Sequence, residues 1–494
     1  MASQHPDHAS KPFWHTHEFI NTHDEIEETH INFSELGINE YKWDWEGKLV
    51  DESVLERMWG QYYDYFKKEQ IGRDKFLTFR LPNPKVETEF RLGRAFMGIL
   101  SAAGLAEQVG LHSPPLFEVI LPMTESATEM MDVQQAFKEL SSLKHKLLRV
   151  DRGTLKHIEL IPLFESVDTI MNSDKILEEY LEGHKWIFGF KPTYMRPYVA
   201  RSDPALNAGL IPTVLAIKIA LSRYRAFEKK FKIHLYPIIG SASLPFRGGL
   251  TPHTVEQFVN EYKGVRTALI QSGFRYDYEK KDVIKGLQKL ELLLPQKSPV
   301  EIPKDDEKKL REIVRIFEKH YQATVENIAD LINEVSSQLP KRRERVQHVG
   351  LFGYSRGMGT VKLPRAIGFT GALYSIGVPP ELIGTGRGIA EAEKKGLLPI
   401  LEKYYINLRS DLLQAGKYLN KNNLKKLSAS SNIWGMIETD VKEIETYLKT
   451  ELGPENMDHK NHHSITEKLY KNILLGKKAA DNITEAAILR KSLG

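Results

Sequence analysis

The chain contains no cysteine. That absence excludes disulfide bonds, thiol catalysis and zinc–thiolate sites. The chain also lacks any run of about 18 apolar residues, so we expect no membrane-spanning helix. The opening residues, MASQHPDHASKPF, carry no apolar segment of the kind that a signal peptide needs. Together these absences favour a soluble, cytoplasmic protein.

An excess of charge of one sign is missing as well. Lys and Arg number 69 and Asp and Glu number 65, which gives a net charge of +4 over 494 residues. A nearly balanced charge gives no reason to expect nucleic acid or an acidic membrane as the main partner. With 41% hydrophobic and 27% charged residues, the composition is that of a globular protein.

Short apolar, β-branched segments recur along the chain at a nearly constant interval. Six of them begin at residues 76, 117, 157, 195, 232 and 267, which lie 41, 40, 38, 37 and 35 residues apart, and a seventh begins at His348. Helix-patterned segments fill the intervals between the first six. A strand and a helix that repeat in this way are typical of βαβ units. The pattern predicts an α/β fold with a TIM (β/α)₈-type barrel core.

The pattern breaks after residue 276 and changes again near the C-terminus. Residues 277–347 have helical periodicity, with Leu310, Ile313 and Phe317 on one stripe. Residues 391–494 are helical and rich in polar side chains. We therefore predict one catalytic domain over 1–494, with barrel strands over about 76–377, a helical insertion at 277–347 and a helical C-terminal region at 391–494.

Polar side chains follow almost every predicted strand, at the end where the active site of a barrel enzyme lies. They include Arg80, Glu125, Glu165, Arg201, Asp203, Ser241, Arg247, Ser355 and Arg356. Glu165 and Asp203 are carboxylates on neighbouring strand ends and together suit a hard divalent cation such as Mg²⁺. The arginines suit a phosphate or carboxylate group, which they bind through paired hydrogen bonds. The residues alone thus predict an anion-binding barrel enzyme.

Seven segments together resemble phosphoenolpyruvate carboxylase in its shorter, archaeal-type form, over most of the chain. SQHPDH at 3–8 is similar to the family's TxHPT segment, IPLFESVDTI at 161–170 to PLFET, and ARSDPALNAG at 200–209 to YSDSxKDAG. GSASLPFRGG at 240–249 resembles the glycine-rich RGG loop, and LTFRLPN at 77–83 resembles LDIRQES. The stretch from Leu363 to Gly386 resembles RAIPW…LPAWLGxG, and the final LRKSLG resembles the family's glycine-terminated tail.

The resemblance implies roles for individual residues, which fall into three groups. The catalytic group is His5, Arg80 and Arg247. The metal ligands are Glu165 and Asp203. The substrate-binding candidates, most of them chosen from the strand ends rather than from the resemblance, are Arg365, Arg201, Arg356 and Ser241.

The sequence departs from the long form of the family at several positions. That form carries a histidine and an arginine in its glycine-rich loop, where this chain has Ile239 and Ser241. We expect Arg80 and Arg201 to supply the missing contacts. Leu206 stands in place of the lysine of the SDSxK segment.

The reaction that the resemblance implies is the irreversible carboxylation of phosphoenolpyruvate by bicarbonate, through carboxyphosphate and an enolate, to oxaloacetate and phosphate. Mg²⁺, with Mn²⁺ as the alternative, would neutralise the enolate oxygen, and His5 would take the carboxyphosphate proton. Because His5 lies close to a terminus, where chains are usually mobile, we expect its segment to act as part of a lid. The family also implies a homotetramer.

Two other functions are compatible with the same residues. One is a Mg²⁺-dependent aldolase or lyase that forms an enolate on the same barrel, and bicarbonate dependence separates it from a carboxylase. The other is a non-catalytic metabolite-binding barrel, against which the carboxylate pair Glu165 and Asp203 argues.

Overall fold

The computed structural model describes residues 1–87, 90–145, 148–149, 155–344, 357–358 and 361–494. Within these residues the centre of the molecule is one sheet of eight parallel strands. In spatial order, which is also chain order, the strands are β1 (Ala2–Ser3), β2 (Glu40–Asp44), β3 (Phe76–Arg80), β4 (Glu118–Leu121), β5 (Glu159–Phe164), β6 (Tyr198–Val199), β7 (Ile238–Ile239) and β8 (Thr267–Ala268). The predicted α/β class with a parallel sheet is confirmed.

Helices connect the successive strands and cover one face of the sheet. They are Asp24–Ser34, Val54–Lys68, Arg91–Gln108, Ala127–Ser141, Val167–Phe188, Ser202–Ala208, Leu210–Phe231 and Val255–Glu261. Tyr41 and Trp43 of β2 belong to the large core between the sheet and these helices. Because side chains alternate along a strand, Lys42 and Asp44 lie on the other face. That inner face carries a second, smaller apolar cluster, which includes Ile161, Leu163 and Tyr198.

The two edges of the sheet meet. Ala2 forms a parallel bridge with Ile270, just beyond β8. Ser3 N donates to the Ile270 carbonyl at 3.0 Å, and Ile270 N donates to the Met1 carbonyl at 2.9 Å. The sheet therefore curls until its first strand lies beside its last.

The described chain beyond β8 is mainly helical. Its helices are Ser272–Tyr276, Lys280–Leu293, Lys304–Val325, Ala329–Ser337, Ala366–Ser375, Thr385–Lys394, Leu398–Tyr404, Leu408–Gly416, Lys421–Ser430, Asn432–Leu448, Met457–Leu474 and Ala480–Arg490. Tyr321 Oη donates to the Leu206 carbonyl at 2.9 Å and so braces the short helix Ser202–Ala208. In the described part of the chain, no helix has the length and apolarity needed to cross a membrane.

The sheet begins earlier in the chain than the periodicity predicted. β1 and β2 both precede residue 76, where the first barrel strand was expected. β1 has only two residues, and β2 reads EYKWD, so neither is an apolar run. The segments that begin at 195 and 232 join the sheet only at Tyr198 and Ile238, after a separate pairing of Tyr194–Met195 with His234–Leu235. The strand predicted from His348 lies outside the described residues.

Candidate active site

A cavity of about 220 Å³ lies at the C-terminal ends of the sheet strands. The apolar side chains of Leu163 and Leu269, from the inner face of the sheet, form part of its wall. Seven residues singled out from the sequence also line it, namely His5, Arg80, Glu165, Arg201, Asp203, Arg247 and Arg365. The fold thus brings most of the predicted site into one space.

The parallel sheet explains this convergence. His5 comes shortly after β1, Arg80 is the last residue of β3, and Glu165 directly follows β5. Asp203 lies in the first turn of the helix that follows β6, and Arg247 lies in the short 3₁₀ turn that follows β7. Because the strands all run in the same direction, their C-terminal ends meet at one edge, where ligands of parallel sheets bind.

The N-terminal segment, which was expected to form part of a lid, is packed into the fold. Ser3, Gln4, Asp7 and His8 are fully buried. Asp7 N donates to Ser272 Oγ at 2.9 Å, and Gly273 N donates to Asp7 Oδ1 at 2.7 Å. The segment is anchored because β1 belongs to the sheet and the residues after it pack on the end of β8.

His5 itself is half-buried at the cavity wall. Its Nδ1 lies 3.0 Å from Ser3 Oγ. Its carbonyl accepts a hydrogen bond from Ser272 Oγ at 2.8 Å. Both the backbone and the ring of His5 are therefore fixed by neighbouring hydroxyl groups.

Arg80 is held by two buried carboxylates. Its Nε donates to Asp44 Oδ1 at 2.8 Å, and its Nη1 lies 2.5 Å from Glu46 Oε2. Asp44 and Arg80 are register partners on β2 and β3, which places both side chains at the same level of the sheet. Burial alone would lower the pKa of Arg80, but Asp44, Glu46 and Glu165 together raise it. Arg80 is a fixed cation at the cavity wall.

Asp44 also pairs with a second cation, Lys42, on the same inner face of the sheet. Lys42 Nζ lies 3.0 Å from Asp44 Oδ1, and both side chains are almost completely buried. Burial and the neighbouring Arg80 lower the pKa of Lys42 to about 8, although Asp44 opposes the shift. The neighbouring Trp43 and Trp45 lie in the core, whereas Asp44 supports Arg80.

Glu165 and Asp203 line the cavity together. Glu165 is 6% exposed, and Asp203 is half-buried. Burial raises the pKa of the Tyr198 hydroxyl, and the negative charges of Glu165 and Asp203 add to this shift, whereas Arg80 opposes it. Among the described residues there is no cluster of three or more His, Asp or Glu that could hold a metal. The pair still fits Mg²⁺, because this ion is commonly held by one or two carboxylates and completes its shell with water and substrate oxygens.

Arg247 also lines the cavity; it is 1% exposed, and each of its nitrogens has a partner. Nε donates to Ser202 Oγ at 3.1 Å, Nη2 donates to Gln271 Oε1 at 2.7 Å, and Nη1 donates to the Gly494 carbonyl. Nη1 also lies 3.6 Å from Asp7 Oδ2. Burial lowers the pKa of Arg247, and Asp7 and Asp203 only partly oppose this.

The turn that carries Arg247 depends on Gly248. Its φ of 128° lies in the region that favours glycine, and a Cβ there would come within 3.0 Å of Ser241 Cβ. This close approach folds residues 245–249 back onto the end of β7. In the RGG segment, Gly248 therefore supplies the backbone conformation that the turn requires, and Arg247 supplies the positive charge.

Arg201 has a different position from the one its expected role requires. We expected it to supply a missing substrate contact, but its guanidinium is buried and faces the protein. Nε donates to Tyr262 Oη at 3.0 Å, Nη1 to the Phe246 carbonyl at 2.9 Å and Nη2 to the Pro245 carbonyl at 3.1 Å. Arg201 borders the cavity, but through these hydrogen bonds its guanidinium holds the turn that contains Arg247.

The remaining predicted residues lie at the rim or elsewhere. Arg365 is exposed and precedes the helix Ala366–Ser375 at the cavity mouth. Ser241 is buried beside the cavity rather than in its lining, and its Oγ donates to the Leu269 carbonyl at 2.5 Å. Glu125 forms an exposed ion pair with Lys85. Arg356 lies outside the described residues.

Two cavity neighbours were missed by the sequence reasoning. Gln271 lines the cavity and accepts a hydrogen bond from Arg247, and Asp7 supports the same guanidinium. Gln271 lies within the strand-like segment predicted from Thr267, and it follows the strand Thr267–Ala268 at the sheet edge where the other polar site residues lie. Asp7 stood inside the quoted SQHPDH segment but had no assigned partner.

Comparison with known proteins agrees with this site. A family model described as phosphoenolpyruvate carboxylase matches residues 1–494. The phosphoenolpyruvate carboxylase of Leuconostoc mesenteroides is 41% identical over 468 residues, which cover 94% of this chain and 92% of that protein. Proteins of the same name from Methanothermobacter thermautotrophicus and Metallosphaera sedula are 37% and 36% identical, each over 100% of this chain and 99% of the relative. The resemblance carried by the motifs is confirmed, and this chain belongs to the phosphoenolpyruvate carboxylase family of carboxy-lyases.

Proposed function

We propose that this cavity carboxylates phosphoenolpyruvate with bicarbonate, giving oxaloacetate and phosphate. One observation carries the proposal: a carboxylate pair, four arginines and His5 line a single cavity although they come from separate strand ends. The family comparisons favour this reaction over an aldolase and over a binding barrel without catalysis.

The fold proposed for this chemistry is a complete eight-stranded TIM-type barrel. The bridge between Ala2 and Ile270 supports closure, because it joins the first strand of the order to the last. Closure also accounts for the site, since it brings β1 with His5 beside β8 with Gln271. The cavity then lies at the end of the barrel where active sites of this fold are found.

The arginines are suited to the two anionic groups of phosphoenolpyruvate. A guanidinium binds a phosphate or carboxylate through two parallel hydrogen bonds. Arg365, exposed at the mouth, would meet the incoming anion first, and Arg80 and Arg247 would hold it inside. The buried partners of Arg80 keep its guanidinium in place, so that little reorganisation is needed as charge moves between oxygens.

Glu165 and Asp203 are the residues that would hold Mg²⁺, with Mn²⁺ as the alternative. A divalent cation bound there would stabilise the negative charge that develops on the enolate oxygen. The donor set consists of hard carboxylate oxygens, which these two ions prefer.

His5 would act as the base. Bicarbonate attacks phosphorus, and the bond between phosphorus and the enolate oxygen breaks with its electron pair, which gives carboxyphosphate and the enolate. Nε2 of His5 then takes the carboxyl proton of carboxyphosphate. The C–O bond to the phosphoryl group breaks, its electrons leave with phosphate, and the enolate carbon attacks the CO₂ released.

We also propose a cytoplasmic homotetramer, on the family resemblance. The C-terminal helices offer apolar side chains for such contacts: Met457 is 67% exposed and Leu474 is 65% exposed. Light scattering of the purified chain tests the assembly. A monomer at micromolar concentration would contradict it.

The reaction is tested by coupling oxaloacetate formation to malate dehydrogenase and NADH, with and without bicarbonate. We expect turnover that requires both phosphoenolpyruvate and bicarbonate. With ¹⁸O-labelled bicarbonate, one label should appear in phosphate, because a bicarbonate oxygen attacks phosphorus. Turnover of phosphoenolpyruvate that ignores bicarbonate would point to an aldolase or lyase, and binding without turnover would point to a binding barrel.

A further inference from the structure

A buried hydroxyl group fixes the ring of His5. Ser3 Oγ lies 3.0 Å from His5 Nδ1 and 3.3 Å from the carbonyl oxygen of Ile270. Ser3 is fully buried in β1. Its backbone is held on both sides, because Ser3 N donates to the Ile270 carbonyl at 3.0 Å and Arg275 Nη2 donates to the Ser3 carbonyl at 2.5 Å. The backbone that carries this hydroxyl is therefore fixed by groups other than the histidine.

The hydroxyl has one hydrogen, and two arrangements compete for it. In the first, the hydroxyl donates to Ile270 and Oγ accepts from Nδ1–H of His5, so that two hydrogen bonds form. In the second, the hydroxyl donates to Nδ1, and the contact with Ile270 loses its hydrogen. The first arrangement forms one hydrogen bond more than the second, because Oγ both donates and accepts. The Ile270 carbonyl keeps its bond from Ser3 N in either case, so the additional bond of the hydroxyl is what favours the first arrangement.

We propose that Ser3 is a positioning residue that holds neutral His5 in the tautomer with its proton on Nδ1, so that Nε2 carries the lone pair. The inference rests on the proposed role of His5 as the base for carboxyphosphate. Which ring nitrogen accepts a proton is decided by the hydrogen bond that the other nitrogen makes. Free imidazole side chains in water favour the opposite tautomer, with the proton on Nε2. In that tautomer Nε2 has no lone pair and cannot accept a proton.

The arrangement also suits the catalytic cycle. Nδ1–H donates to Ser3 Oγ in the neutral ring, and it can do so equally after Nε2 has gained a proton. The hydroxyl therefore need not turn during the reaction. A hydroxyl that donated to Nδ1 would have to rotate each time the ring became charged.

The first test is the tautomer itself, in the full-length wild-type protein. ¹⁵N-histidine labelling gives distinct nitrogen shifts for the two neutral tautomers, and the His5→Gln variant assigns the His5 signals by their loss. We expect His5 to carry its proton on Nδ1. A proton on Nε2 would overturn the proposal, and this result does not depend on how any Ser3 variant folds.

The second test uses Ser3→Ala, Ser3→Thr and Ser173→Ala. We expect S3A to shift His5 towards the Nε2–H tautomer. We also expect it to lower kcat by about tenfold, which is the rate factor that corresponds to the loss of roughly one hydrogen bond. KM for phosphoenolpyruvate should change little. S3T retains the hydroxyl and should restore both the tautomer and kcat. S173A removes an equally buried hydroxyl, which bonds Tyr224 outside the cavity lining, and should change neither.

The outcomes separate this inference from the proposed function. If S3A keeps both the Nδ1–H tautomer and the wild-type kcat, the positioning role is wrong. If S3A and S173A lower kcat equally with the tautomer unchanged, Ser3 acts only through stability, and the role is again wrong. If H5Q retains full carboxylation, the base role of His5 fails whatever Ser3 does.

Discussion

Single residues of the site are held in place by oppositely charged neighbours. Asp44 is the clearest case, because it pairs with Arg80 at the cavity wall and with Lys42 below it. All three side chains are buried. In such a setting the loss of one carboxylate leaves two cations without full compensation, which is far more costly than the loss of an exposed ion pair.

We therefore predict that Asp44→Asn lowers the unfolding free energy by about 3 kcal/mol. We also predict that it lowers kcat/KM for phosphoenolpyruvate about tenfold, because Arg80 loses its alignment. Glu52→Gln is the matched control, since Glu52 pairs with Arg94 at the surface, where both side chains are about half exposed. Urea unfolding and steady-state kinetics measure both quantities. Equal effects of D44N and E52Q would contradict the role given to Asp44.

For Ser241 we predict an effect on stability without an effect on substrate binding. Because its hydroxyl donates to the Leu269 carbonyl, we expect Ser241→Ala to reduce stability by about 1 kcal/mol. KM for phosphoenolpyruvate should stay within about twofold of the wild-type value, as for a group outside the site. A large rise in KM with unchanged stability would instead restore the substrate contact predicted from the sequence.

The sequence predicted site residues where a motif or a strand end marked them. His5, Glu165 and Asp203 stood in segments with recognisable neighbours, and the structure brings all three to the cavity. It did not predict what a side chain faces, and Arg201 shows why. An arginine after a strand can point into the cavity or bind backbone carbonyls, and only the position of the turn at 245–247 decides between the two.

Among the elements, the turn from Pro245 to Gly249 matters most for the site. Arg201 binds two of its carbonyls, and Glu381 Oε1 accepts from Phe246 N at 2.8 Å. Tyr374 Oη also donates to Glu381 Oε1, at 2.7 Å. The turn is thus clamped from one side by a strand end and from the other by the 3₁₀ turn Pro380–Leu382.

The clamp predicts a dependence of stability on pH. Burial raises the pKa of Glu381 from its ordinary value of 4.5 to about 7. Between these values the folded protein binds more protons than the unfolded chain, so the unfolding free energy falls as pH rises. The contribution of Glu381 is on the order of 3 kcal/mol at the acid end of this range, and it is lost progressively as pH rises to about 7.

Glu381→Gln should remove this part of the pH dependence while keeping acceptors for Phe246 and Tyr374. Urea unfolding of both proteins at several pH values from about 5 to about 8, a range that covers the upper part of the titration, measures the difference. Burial also raises the pKa of Asp411 to about 7, and the charge of Glu381 adds to that shift. Glu381→Gln therefore also weakens the part of the slope that comes from Asp411, in the same direction. Parallel curves for the two proteins would contradict the assignment.

The strands show how far periodicity reaches. β3, β4 and β5 contain apolar runs long enough to stand out, and each falls where the spacing predicted it. β1 and β2 were missed because one is very short and the other places Lys42 and Asp44 on its inner face. Polar inner residues near the end of a barrel strand are what an active site requires, so the same feature that supports function weakened the sequence signal.

Across the whole molecule, segments far apart in the chain meet around the cavity. Leu493 N donates to the Asp7 carbonyl at 2.7 Å, and Arg342 Nη2 donates to the Ala9 carbonyl at 2.9 Å. Arg343 forms buried ion pairs with Glu25 and Glu28, which lie more than 300 residues earlier in the chain. Such long-range contacts are not encoded in local patterns, so they could not be predicted from the sequence.

The central claim is that one cavity, with Glu165 and Asp203 as its metal ligands, carries out bicarbonate-dependent carboxylation. The most direct measurement follows Mn²⁺ binding by electron paramagnetic resonance, together with turnover, in wild type, Glu165→Gln and Glu178→Gln. Glu178 is the control. It lies on the helix that follows Glu165, and it forms an exposed ion pair with Lys230. We predict that E165Q loses Mn²⁺ binding and about a hundredfold or more of its turnover, since a catalytic cation contributes several kcal/mol, whereas E178Q retains both. Wild-type Mn²⁺ binding and turnover in E165Q would contradict the account.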